Sequence, residues 1–127
     1  MVLVPYDEKP KPVKWTGRSR EDLSVLPDEV KNRIGSALWD AQLGRKSTIT
    51  KPLVGFGGAG VLEVIDDFDG DTYRAVYTVR FAGVVFVLHV FQKKSHRGSA
   101  LPRRDMATIR RRLAAAHEEY RQWLENQ

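Results

Sequence analysis

Arg74, His89 and Lys93 are the residues of this chain whose types and spacing could do chemistry on a phosphate. Arg74 stands in the strictly alternating segment "TYRAVYTVRF" (Thr72–Phe81), and His89 and Lys93 stand in "VVFVLHVFQK" (Val84–Lys93). Both segments read as β-strands. Ala82-Gly83 between them reads as a two-residue hairpin turn, which sets Phe81 opposite Val84. The register then places Arg80 opposite Val85, Val76 opposite His89, Arg74 opposite Phe91 and Thr72 opposite Lys93. Side chains alternate faces along each strand. One face therefore carries Tyr73, Ala75, Tyr77, Val79 and Phe81 with Phe86, Leu88, Val90 and Gln92, a core for helices to cover. The other carries Arg74, Val76, Thr78 and Arg80 with Val85, Val87, His89, Phe91 and Lys93. On that face Arg74 lies within diagonal reach of both His89 and Lys93. Cations, an imidazole and the Phe91 ring on one patch suit a phosphate backbone with a base stacked nearby.

The inventory narrows the chemistry. The chain has no cysteine. This face has no carboxylates paired closely in sequence, and His89, His96 and His117 lack metal-ligand spacing, so hydrolysis by a metal-bound water is unsupported. RNA cleavage needs neither. A base takes the proton of the ribose 2′-hydroxyl, a fixed cation holds the charge building on the phosphoryl oxygens, and a proton reaches the leaving oxygen. His89 titrates in the right range to be base or acid. Arg74 offers a permanent planar fork for phosphate. Lys93 can clamp, or act as base where neighbouring cations depress its pKa.

The elements that must position these residues follow from punctuation. Pro5, Pro10 and Pro12 make residues 1–12 an extended arm, and "PVKW" (Pro12–Trp15) could begin an edge strand. "SREDL" (Ser19–Leu23) reads as a short helix with Ser19 as its cap. Pro27 opens a stronger helix with Val30, Ile34, Leu38 and Ala41 on one face, and Gly44 stops it. Arg45 to Gly60 reads as a loop. Its "GFGGAG" precedes a strand, where a nucleotide cradle would follow one, so it reads as a loop that lets backbone approach something. "VLEVIDD" (Val61–Asp67), a turn at Asp69-Gly70 and the hairpin give a three-stranded meander. Ser95 to Leu101 reads as a loop. Pro102 then opens a last helix whose Met106, Ile109, Leu113, Ala116, Tyr120 and Trp123 form an apolar stripe.

A chain of 127 residues suits one domain, here 13–127 after the arm. Net charge is +5, and Lys93 to Arg112 holds eight Lys or Arg against one acid, Asp105. That block is either a solvated helix face or an invitation to a polyanion or an acidic protein. The N-terminus lacks a signal peptide's apolar core, and the longest apolar run, Gly83 to Phe91, is too short to span a bilayer. With the absence of cysteine, these features fit the cytoplasm.

The order of elements, with "KPLVGFGGAGVLEVI", "YRAVYTV", "VLHVFQKKS" and "LPRRDMATIRRRL", resembles the RelE/ParE superfamily of toxins, in its HigB-like, phage-derived branch. The resemblance spans roughly Val13 to Leu113, and its most specific part is the Phe-Gln-Lys-Lys-Ser segment before a proline-opened helix. It implies an α+β fold: an antiparallel sheet, the meander plus a possible N-terminal edge strand, packed against two N-terminal helices and a C-terminal helix. It further implies a toxin neutralised by an antitoxin, often a helix-turn-helix protein, that cleaves mRNA on the ribosome without metal or other cofactor. Arg74 matches the family's phosphate-binding arginine, Lys93 the basic position after the last strand and Lys94 its neighbour, while His89 falls within the matching strand. After the glycine loop the family reads acid, apolar, basic. Here Glu63, Val64, Ile65 lacks that cation, for which Lys51, Arg80 or Arg97 could substitute. Phe91 and Arg104 complete the expected RNA contacts. Two further readings are a non-catalytic module binding nucleic acid or protein, favoured by Ile65, and a ParE-like inhibitor of gyrase, which fits less well at "FQKKS".

Overall fold

A computed structural model describes residues 9–57, 60–93 and 101–127. The protein is of the α+β class, a five-stranded mixed sheet between helices. The elements in chain order are β1 (Val13–Trp15), α1 (Ser19–Ser24), α2 (Asp28–Gln42), β2 (Thr50–Pro52), β3 (Val61–Phe68), β4 (Asp71–Thr78), β5 (Val85–Lys93) and α3 (Arg103–Glu125). The sheet order is β1-β5-β4-β3-β2, with β1 parallel to β5 and the other pairs antiparallel. Residues 1–8 of the expected arm lie outside the described residues.

Both helix-opening prolines sit at the N-cap, Pro27 of α2 and Pro102 of α3, with backbone angles that lead into a helix without spending an amide donor. Ser19 does not cap α1. Arg18 holds that position, and the Ser19 hydroxyl donates instead to the Val87 carbonyl at 3.3 Å. The span expected as a loop from Arg45 to Gly60 contains β2, which pairs Lys51 with Glu63. Three residues ending in Pro52 carry little strand signal, and proline is tolerated there because β2 is an edge strand.

Each sheet face has its own core. α2 covers Val64, Tyr73, Ala75, Tyr77, Val85, Val87 and Val90, with Val30, Ile34, Leu38 and Ala41 as its buried side. α3 covers Val61, Val76, Phe81, Val84, Phe86 and Leu88 with the stripe of Met106, Ile109, Leu113, Ala116, Tyr120 and Trp123. The strand faces derived from a two-residue turn are therefore partly wrong. The register holds from Thr72↔Lys93 to Val76↔His89, but Tyr77 then pairs with Val87 and Thr78 with Phe86. Leu88 is an extra residue, a β-bulge, and it shares the α3 side with His89. Phe86 and Leu88 consequently leave the Tyr77 face, and Val85 and Val87 join it. Phe81 also packs against α3, and Arg80 has no strand partner, because β4 ends at Thr78 and the hairpin connection is longer than two residues.

The bulge is held from far away in sequence. Thr16 Oγ1 donates to the carbonyls of Val87 at 2.9 Å and Leu88 at 3.2 Å, and an Arg112 guanidinium nitrogen donates to Leu88 at 2.9 Å. The groups that a bulge takes out of the ladder are thus satisfied by the β1–α1 turn and by α3.

Candidate functional site

Four charged side chains cross four strands in a diagonal row on the α3 side of the sheet: Lys51 of β2, Glu63 of β3, Arg74 of β4 and Lys93 of β5. The ladders dictate it. Lys51 pairs with Glu63 across β2–β3, Arg74 lies two residues along from Val76, the partner of Glu63, and Lys93 faces Thr72 two residues further. Arg74 donates to Glu63 Oε2 at 2.8 Å, and Lys51 Nζ lies 3.8 Å from Glu63 Oε1. Arg74 and Lys93 are only 5% and 4% exposed, whereas Lys51 is open to solvent. Burial first, and then the Arg74 guanidinium with Lys51, pushes the Lys93 ammonium below its ordinary pKa, and Glu63 opposes that shift. Arg74 Nε is buried with no hydrogen-bond partner among the described residues.

A pocket of about 300 Å³ opens above the exposed end of this row. Lys51, Leu53 and Glu63 line it with Leu101 and Met106 from the start of α3. Among the described residues, Glu63 is the only carboxylate in that lining. Three cations around one carboxylate leave the row net positive. It can hold an anion and also contains one group able to accept a proton.

His89 does not join the row. Its Nε2 lies 2.8 Å from Asp105 Oδ1, and its Nδ1 lies 3.2 Å from the Arg112 guanidinium. Arg112 can only donate, so Nδ1 accepts and Nε2–H is the donor to Asp105. Both ring nitrogens are engaged within the protein, and the ring stacks on Phe91 at 4.5 Å. Burial lowers the pKa of His89, Asp105 raises it, and Arg112 lowers it. Gly17 makes room for this latch. Its φ is +54°, and a Cβ there would lie 2.6 Å from Arg112 Nε.

The other expected contacts disperse. Phe91 is half-buried, beside His89. Arg80 is exposed beyond the end of β4 and donates to the Phe56 carbonyl at 3.1 Å. Arg104 is exposed in the first turn of α3. Lys94 and Arg97 lie outside the described residues, as does His96. Reading the sequence missed Glu63 as the partner of Arg74 and Asp105 as the partner of His89. The first had a signal, an acid and an arginine on adjacent antiparallel strands. The second pairs residues that only the docking of α3 brings together. Among the described residues, no three His, Asp or Glu side chains group as a metal site would require, and no helix is long and apolar enough to cross a membrane.

Fold and site together define an α+β protein whose sheet carries, on the side of its C-terminal helix, a row of three cations around one carboxylate, two of the cations buried. A family model described as "Phage derived protein Gp49-like (DUF891)" matches residues 21–114, and the chain belongs to that family. Among solved structures it is similar to a chain of the toxin–antitoxin complex RelBE2 from Mycobacterium tuberculosis, with 23% identity over 65% of this chain and 96% of that one and a TM-score of 0.45. It is also similar to an arginine-to-alanine mutant of the E. coli toxin RelE in the free state, with 18% identity over 69% of this chain and 88% of that one and a TM-score of 0.48. No curated protein matches the chain.

Proposed function

We propose that this protein is the toxin of a type II toxin–antitoxin pair and that it cuts mRNA by metal-independent attack of a ribose 2′-hydroxyl on the adjacent phosphorus. The observation that carries the proposal is the row itself, with Lys51, Arg74 and Lys93 around Glu63 beside a pocket. Lys51 meets the incoming phosphate, and Arg74 stabilises the charge that grows on its oxygens. Glu63 accepts the 2′-hydroxyl proton. Lys93, made a stronger acid by its surroundings, gives a proton to the leaving 5′-oxygen. The new bond runs from the 2′-oxygen to phosphorus and the P–O5′ bond breaks, leaving a 2′,3′-cyclic phosphate and a 5′-hydroxyl. His89, with both nitrogens occupied, takes no part in proton transfer and holds α3 against β5.

The ribosome and the antitoxin enter through the resemblance of "VLHVFQKKS" and its neighbours to the mRNA-cleaving toxins. Translating ribosomes put the activity in the cytoplasm, and an excess of five positive charges favours a shielding partner with an acidic face. The second reading is a module that binds RNA without cutting it. The buried Arg74–Glu63 pair favours it, since an arginine already neutralised has less charge to offer a transition state.

Cleavage on programmed ribosomes with chelator present, scored by primer extension, tests the proposal. Arg74→Ala is expected to lose on the order of 10²–10³ in rate, with Glu63→Gln and Lys93→Ala similarly crippled. His89→Gln should retain most of it. If the wild type binds ribosomes or RNA and cuts nothing, the binding module is correct.

A further inference from the structure

A second pocket, about 590 Å³, opens farther along α3, where Phe56, Arg80, Phe81, Arg110 and His117 meet over the side chain of Leu113. Among the described residues, no carboxylate lines it. Its rim is preset. Arg80 donates to the Phe56 carbonyl at 3.1 Å, and the Arg110 guanidinium lies over the Phe56 ring, 5.4 Å from its centroid. The exposed His117 ring, also in the lining, stacks on Phe81 at 5.5 Å and 19°. Phe81 stacks in turn on Tyr120 at 5.0 Å, so the His117 ring is backed by a packed aromatic layer.

These parts fit one chemistry. Guanidinium planes and aromatic or imidazole rings are the surfaces on which unpaired bases stack, and two arginines without a neutralising acid attract phosphate. The volume lies within the roughly 300–1,000 Å³ of small-molecule sites. An acidic protein segment would meet the same charge, but it would not use two ring platforms facing one cavity.

Position adds to this. Met106 lines the first pocket and Arg110 and Leu113 line the second, four and seven residues along one helix. At 1.5 Å of rise per residue the two pockets lie roughly 6 to 10 Å apart along α3. The loop that separates them lies close on the helix: Gly55 has φ +103°, and a Cβ there would stand 3.3 Å from Met106 Cε. A single strand crossing the loop would put neighbouring nucleotides in the two pockets.

We propose that the Phe56–Arg80–Arg110–His117 pocket is a nucleotide-binding subsite that takes the base and phosphate of single-stranded RNA next to the nucleotide held at the Lys51–Glu63–Arg74 row. The proposal deepens the RNA-directed reading and rests on it for its ligand class. The test uses the full-length protein and a short labelled 2′-O-methyl oligoribonucleotide, which binds but cannot be cut because its 2′-oxygens are blocked. Affinity is followed by fluorescence anisotropy across a salt series. Phe56→Ala and Arg110→Ala are each expected to weaken binding about tenfold. Arg110→Ala alone of the two should reduce the salt slope by about 1. Arg121→Ala, an equal loss of charge on an exposed part of α3, should leave affinity within about twofold.

If the wild type fails to bind, or if the pocket variants bind no worse than Arg121→Ala, the proposal is overturned. It is also overturned if they bind RNA normally but no longer co-purify with the product of the adjoining reading frame, since the pocket then docks a protein. If the pocket variants lose binding while the wild type cuts nothing on ribosomes, the subsite stands and the nuclease reading falls.

Discussion

Arg74 is the residue at which the fold and the proposed function meet. Its guanidinium is buried against Glu63, and such a pair contributes little net stability when intact but costs a great deal when one partner is lost. Arg74→Ala leaves the Glu63 carboxylate buried without its 2.8 Å partner, with Lys51 at 3.8 Å and the Lys93 charge still beside it, and should lower unfolding free energy by about 3 kcal/mol in denaturant titration. Adding Glu63→Gln to it should restore part of that loss, and failure to restore any would mean the pair is not coupled. His89 makes the other prediction at this scale. Its pKa is lowered in the fold, chiefly by burial, so below its ordinary value of about 6.5 the unfolded chain takes up a proton more readily than the native one. Stability from His89 is therefore present above that pH and is lost as pH falls further. The groups facing it set the balance: Asp105 and Asp22 favour the charged ring, and Arg112 opposes it. His89→Gln should flatten the wild type's decline between neutral and mildly acid pH in thermal melts. An unchanged profile would place the titration elsewhere.

At the scale of elements, the helices were legible because their signals are local. Pro27 and Pro102 mark the starts, and the stripe from Met106 to Trp123 marks the buried side of α3. The register of β4 and β5 was legible from Thr72 to Val76 and illegible beyond, because the Leu88 bulge depends on Thr16 and Arg112, 72 and 24 residues away. No alternation pattern records such partners. The same distance hid the partners of His89, which reads as a catalytic residue in the strand and meets Asp105 and Arg112 only because α3 brings them there. Arg74 and Lys93 kept their common face because they lie before the slip. The latch depends on Gly17, whose positive φ and missing Cβ let Arg112 pass. Gly17→Ala should destabilise the protein by more than about 1 kcal/mol. Hydrogen exchange should then show the loosening at the β5–α3 contact first. Uniform loosening, or none, would mean that Gly17 does not position α3.

For the whole molecule, the sheet between two helical layers explains how a chain of this size can carry buried cations at all. The core under α2 has Ile34 and Tyr77 among its fully buried side chains, and the core under α3 has Phe86, Leu88 and Ile109. Each such side chain is worth roughly 1.5–3 kcal/mol, enough to offset a desolvated Arg74 and Lys93. The stability given up to bury those two charges is what the proposed catalysis uses, because a preorganised cation in a dry site acts on a phosphoryl group more strongly than one in water. In the proposed reaction the 2′-oxygen of the substrate is the nucleophile and no metal takes part. The direct measurement is end-group analysis of mRNA cut on ribosomes in the presence of chelator, with a matched message bearing one 2′-deoxynucleotide at the cleavage position. The proposed reaction yields a 2′,3′-cyclic phosphate and a 5′-hydroxyl from the first message and no cut at that position in the second. Cleavage of the deoxy-substituted message at the same place, or fragments ending in a 5′-phosphate, would contradict it.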